Sequence, residues 1–201
     1  MKKVVCVARV LTIALVLGMA FGTAVAQDNS TYAVNYYSNA NTTGAPDATL
    51  RVINDGNTGG NLCASFYVFD DSEEMQECCS CPVSADGLIV ESLNQHLLSN
   101  SLTRFVNQRG VIKLVSTNAP SGTCDPRGGV TPGVPPAVAT SGIRGWSTHI
   151  QRGANGSFQV TEAELHNSNL ATAELFELQQ FCWFEWALGG GQGVCSCNLE
   201  N

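Results

Sequence analysis

The chain has 201 residues, nine cysteines and a formal net charge of −7. That length suits one domain with a core of its own, and the acidic balance repels phosphate backbones and anionic bilayers, so nucleic acid is excluded as a natural partner. All 17 acidic residues lie beyond position 26, whereas Lys2, Lys3 and Arg9 lie before it, so cleavage there would leave a more acidic chain.

Residues 1–26 read as a secretory signal peptide: a basic start at Lys2 and Lys3, an apolar run from Val10 to Leu17, and Ala24-Val25-Ala26 as the cleavage site. Export to a secreted or periplasmic location is therefore expected. No second apolar run offers a membrane anchor, and no cysteine stands at the cleavage point for lipidation. Removal of Cys6 leaves Cys63, Cys78, Cys79, Cys81, Cys124, Cys182, Cys195 and Cys197, an even set in an oxidising compartment, which predicts a disulfide framework.

Residues 27–46 are polar and read as a mobile leader, although Tyr32, Val34 and Tyr36 alternate as strand residues do. Residues 47–201 read as a single disulfide-stapled, β-rich domain. Thr49 to Ile53 and Leu62 to Phe69 are β-branched and aromatic runs, and the Asn/Gly-rich stretch between them predicts a hairpin or a looped strand pair. Asp71-Ser72-Glu73-Glu74 has the form of a capping box and predicts a short helical turn before the cysteine cluster. Leu88 to Glu91, Gln95 to Leu98 and Val111 to Ser116 are further strand candidates.

Residues 119–141 are rich in Pro and Gly and predict a long loop pinned midway by Cys124, free to be presented to a partner. Ile143 to Gln151 reads as a strand, with His149 on the solvated face, and Asn155-Gly156 predicts a hairpin turn into Phe158 to Thr161. Thr172 is the expected N-cap of a helix whose Leu175, Leu178, Phe181 and Cys182 share one face. Trp183 to Leu188 then reads as a strand, with Phe184 and Trp186 inward and Trp183 toward solvent, where it would serve as a ligand platform. Val194 to Cys197 reads as the last strand. The expected architecture is a β-sandwich with one or two short helices.

The cysteine spacing carries a pairing expectation. Residues i and i+2 of a strand share a face, so the Cys79/Cys81 segment is expected to bond the Cys195/Cys197 segment, leaving Cys63, Cys78, Cys124 and Cys182 to pair among themselves. Redox catalysis by Cys78-Cys79-Ser80-Cys81 is disfavoured because Glu73, Glu74 and Glu77 oppose thiolate formation. Zinc is disfavoured by export and by the lack of a second C-x-x-C pair, so no metal or cofactor is expected. His96, His149 and His166 have no ligand spacing. Gly145-Trp146-Ser147-Thr148-His149 lacks the final glycine of a nucleophile elbow, and no other segment supplies a catalytic residue. The paired acids Asp70/Asp71, Glu73/Glu74 and Glu162/Glu164 read as caps and solvated faces, and the Asn54 to Asn61 loop as a turn without calcium.

The stretch Leu62-Cys63-Ala64 through Tyr67-Val68-Phe69-Asp70 and Glu77-Cys78-Cys79-Ser80-Cys81, with Thr172-Ala173-Glu174-Leu175 and Gly193-Val194-Cys195-Ser196-Cys197 downstream, resembles a group of exported, cysteine-rich bacterial proteins to which no activity is assigned. The resemblance implies an exported disulfide-framework domain and carries over no catalytic residue. The sequence thus predicts an exported structural or interaction module whose partner is an extracellular protein or glycan. The alternative is a polysaccharide-acting hydrolase or a carbohydrate-binding protein.

Overall fold

Alternating or continuous apolar runs tend to become strands where a neighbouring face covers them, and ten strands are found among the described residues. A computed structural model describes residues 31–98, 107–119, 122–133, 136–189 and 195–199, so the expected signal peptide lies outside the described residues. The strands are β1 (Tyr32–Tyr37), β2 (Thr49–Asn54), β3 (Leu62–Asp70), β4 (Met75–Val83), β5 (Leu88–Ser92), β6 (Gly110–Asn118), β7 (Ile143–Arg152), β8 (Phe158–Glu164), β9 (His166–Ser168) and β10 (Asn198–Leu199). They pair antiparallel into two five-stranded sheets, in the orders β4-β3-β6-β1-β9 and β10-β5-β2-β7-β8. One α-helix, α1 (Thr172–Ala187), lies against the first sheet.

The main core fills the space between the sheets, with Leu50, Val52, Phe66, Val68, Ile89, Ile112 and Leu114 among its members. A second, smaller core joins the outer face of the first sheet to α1 through Tyr67, Met75, Val115, Leu178 and Cys182. β3 is therefore covered on both faces, which is why it is a nearly unbroken apolar run rather than an alternating one.

β4 distributes the sulfurs by simple pleating. Cys79 and Cys81 face the inter-sheet core, and Cys78 faces α1. The bonds are Cys79–Cys195 and Cys81–Cys197 to the C-terminal segment, Cys78–Cys182 to the helix, and Cys63–Cys124 to the Pro/Gly-rich segment. The i, i+2 argument thus leads to the pairing seen. The C-terminal segment is tied to the first sheet by two disulfides and to the second by the β10–β5 ladder, closing the sandwich at that edge.

Several local expectations give way to tertiary context. Residues 32–37, inside the expected mobile leader of 27–46, form β1, a strand held between β6 and β9. β2 and β3 enter different sheets, so the Asn/Gly-rich stretch between them crosses the sandwich instead of closing a hairpin. The expected helical turn at 71–74 is the loop of the β3–β4 hairpin. Asp70 closes it by accepting from the Ser72 and Glu74 amides (2.8 and 3.0 Å) and from Gln76 Nε2 (2.9 Å). The strand candidate after β5 is a π-helical turn, Leu93–Leu97, whose Gln95 amide is capped by Ser92 Oγ at 3.0 Å. Residues 195–197 are irregular, and the last strand begins only at Asn198.

The Pro/Gly-rich segment does not stand free. Tyr67 donates from its hydroxyl to the Pro126 carbonyl at 2.6 Å, and Arg127, paired with Asp125 at 2.9 Å, lies 4.7 Å from the Trp186 ring. Gly128, at φ +49°, passes so near Gln179 of α1 that a Cβ would stand 2.2 Å from its side-chain nitrogen.

Candidate functional site

The aromatic segment that reads as a strand is the second half of α1. Aromatic residues are weak helix formers, but the Leu175, Leu178, Cys182 spacing continues the helix until Gly189, at φ +88°, terminates it. That glycine, with the helical spacing, was the available signal. Thr172 is the first helical residue and Ala171 takes the cap position without a side-chain bond, so Thr172 is not the N-cap. The Leu178–Cys182 face meets β4 and the disulfide pins it there.

The change from strand to helix rearranges the aromatic faces. Trp183 is half-buried, with its ring 5.3 Å from Phe184 at 73°, and it is not the exposed platform expected of a strand. Phe184 and Trp186, expected inward, are about half exposed at 52 % and 47 %. Phe176 (53 %), Phe181 (48 %) and Leu188 (67 %) are exposed too, so Phe176, Phe181, Phe184 and Leu188 make an apolar patch on the side of α1 away from the buried Leu178–Cys182 face, while Trp186, four residues after Cys182, lies toward Arg127.

Beside this patch a cleft of about 340 Å³ opens between α1, the hairpin loop and the first sheet. Phe69, Val111, Leu178 and Phe181 supply apolar lining, with Asp70, Glu73, Glu174, Glu177 and Lys113 among them. Lys113 Nζ donates to Glu174 Oε1 at 2.6 Å and sits 4.9 Å from the Phe69 ring centre. The Tyr32 hydroxyl donates to the same carboxylate oxygen at 3.2 Å, and burial, then Glu174, pushes that phenol well above its ordinary range. Glu73 holds φ +68°, a left-handed conformation unfavourable for a side chain of its size. Near the other end of α1, the carboxyl of Glu185 is pushed up by burial and, second, by Glu74. α1 itself carries Glu174, Glu177 and Glu185 and no basic residue.

The other candidates are structural. Asp71 pairs with Arg109 (2.6 Å), Glu162 with Arg51 (2.7 Å) and Glu164 with Arg144 (3.5 Å), so these three acids are engaged in ion pairs on the surface. Cys81, Glu91 and Cys197 bring potential metal-ligand atoms within 4.8 Å of one another, but the two sulfurs are bonded to each other. Glu91, fully buried on β5, instead accepts from the Cys197 amide (2.7 Å), the Ser196 amide (3.0 Å) and the Ser196 hydroxyl (3.3 Å). His96 Nδ1 lies 3.0 Å from the same carboxylate.

His149 departs from its expected solvated position. It faces the space between the sheets at 6 % exposure, because the alternation of β7 puts Ser147 and His149 on the face that Asn35 of β1 covers. Asn35 Nδ2 donates to Ser147 Oγ at 2.6 Å and lies 3.2 Å from His149 Nε2, and the Nδ1 atom is buried without a partner. The Tyr36 ring lies against the imidazole at 4.5 Å. This is a packed polar cluster between the sheets.

Burial, and secondarily the charge of His166, hold the His149 pKa below its ordinary value near 6.5. The unfolded chain therefore binds a proton there before the folded one does. Stability from this residue is present above about pH 6.5 and is lost as pH falls below it. Urea midpoints measured from pH 7 to 5 should fall more steeply in the native chain than in His149→Gln. Parallel profiles would contradict the assignment.

Comparison with protein-family models, curated proteins and solved structures finds no match at all.

Proposed function

We propose that this chain is an exported, disulfide-stapled binding module, secreted or periplasmic, which captures a protein partner on the outer face of α1 and the adjoining cleft. The observation that carries the reading is the set of half-exposed aromatic residues, Phe176, Phe181 and Phe184, on the outer side of a helix bonded covalently to the sheet beneath it. Large aromatic side chains on a rigid support bind partners with little entropy left to lose. The four disulfides suit the oxidising environment of an exported protein.

A protein fits this surface better than a sugar. Stacking on a glycan needs a flat ring face, whereas Phe69 and Phe181 meet at 84° and Trp183 and Phe184 at 73°, and Arg127 occupies one face of Trp186. The acidic lining favours a partner whose apolar contact is bordered by Lys or Arg. The hydrolase alternative loses its best acids to structural bonds, since Asp70 closes the hairpin and Glu174 holds Lys113 and Tyr32.

The test is capture from the secreted proteins of the source organism, with a parallel glycan array, using the native chain and Phe181→Ala/Phe184→Ala. Both side chains are half exposed, so the variant should keep its unfolding midpoint within a few degrees. Specific protein capture should fall by about tenfold or more, the usual effect of truncating two contact aromatics. Capture unaffected by the double substitution, or glycan binding that it abolishes, would reject the protein-docking reading.

A further inference from the structure

We infer that two copies of this chain pair antiparallel through β8, joining their second sheets into one continuous ten-stranded sheet. β8 is the terminal strand of its sheet, and six of its seven residues are exposed. The odd-numbered residues face the same side as Ser147 and His149, yet all of them are exposed. Among the described residues, β8 is paired along one edge only.

The direction of its backbone groups follows from the ladder. Leu165 donates to the Gly145 carbonyl (2.8 Å) and Gly153 to the Ser157 carbonyl (2.8 Å), so the residues that exchange bonds with β7 are the odd-numbered ones. The amides and carbonyls of Phe158, Val160, Glu162 and Glu164 point away from the sheet, and no described residue bonds them. Natural edges are protected by charged side chains, proline, bulges or a covering element. β8, with the sequence FQVTEAE, has two glutamates, each paired with an arginine of its own chain, but no proline and no bulge in its register with β7. β4, the other long edge strand, contains Pro82, and its three cysteines are bonded to α1 and to the C-terminal segment.

A second copy fits this edge better than other strands do because β8 is self-complementary. Antiparallel pairing about Thr161 sets Phe158 opposite Glu164 and Val160 opposite Glu162 of the second copy, and only outward-facing residues meet, which allows about eight new backbone hydrogen bonds. No carboxylate faces a carboxylate directly. Glu162 and Glu164 are already paired with Arg51 and Arg144 of their own chain, which limits repulsion between the two edges. The contact is isologous and closes as a dimer.

Sedimentation of the oxidised protein across the micromolar range tests this. The native chain should show a monomer–dimer equilibrium. Val160→Pro removes an outward amide that the monomer does not use, so the fold should persist while dimerisation weakens about tenfold or more. Val160→Glu, which sets a carboxylate opposite Glu162 of the second copy, should also weaken it, and Val160→Lys should preserve or tighten it. The glutamate variant carries the test should the proline variant fail to fold. A strictly monomeric native chain would overturn the inference. So would a dimer indifferent to Val160→Pro, one lost instead in Phe181→Ala/Phe184→Ala, or one weakened equally by glutamate and lysine.

Discussion

Replacing Glu91 with leucine is expected to lower the stability of the oxidised protein by about 3–5 kcal/mol, the range for removing one partner from a buried charged network. The carboxylate is fully buried and is the acceptor for two consecutive amides and a hydroxyl of the C-terminal segment. Leucine fills the space but leaves those amides without an acceptor inside the core, and each orphaned donor costs about 1–3 kcal/mol. Because Cys81–Cys197 and Cys79–Cys195 still hold the segment, the damage should show as a lower denaturant midpoint with the disulfides intact. Glu91→Gln, which keeps the shape and one acceptor oxygen, should lose less than Glu91→Leu. Equal midpoints for the native chain and Glu91→Leu would show that the disulfides alone position residues 195–197.

The double substitution Cys78→Ala/Cys182→Ala is expected to cost about 2–5 kcal/mol, the usual effect of removing a native disulfide from a disulfide-bonded domain. The bond links positions 104 residues apart and joins α1 to the outer face of the first sheet. Only Leu178, Gln179 and Cys182 of the helix are buried, so noncovalent packing anchors it thinly. Helical circular dichroism should melt before the β signal in this variant, and partner capture should be lost with the helix. A single transition at the native temperature, with capture retained, would mean that the second core holds α1 without the bond.

The fold class was legible because strands and cysteines are local signals. Alternation along β2 and β7, the β-branched runs of β3 and β6, and turn residues between them identify the sandwich before any contact is known. The pleat of β4 divides Cys78 from Cys79 and Cys81, which is enough to match the paired C-terminal cysteines to the right strand. The candidate site was less legible. The aromatic run after Cys182 has strand-like composition, and only the disulfide to β4 and the termination at Gly189 make it a helix.

What the sequence by itself determined is therefore the β-rich, disulfide-stapled character of the domain and the face each strand residue occupies, since a period of two is a property of the chain alone. Which faces are covered was decided by the tertiary structure. His149 lies on a face that could have been solvated, and it is buried because Asn35 and the rest of β1, from a segment that reads as a leader, pair across the sandwich. β8 has the alternation of a half-buried strand, yet six of its seven residues are exposed. Burial is set by partners distant in sequence, which no local pattern records.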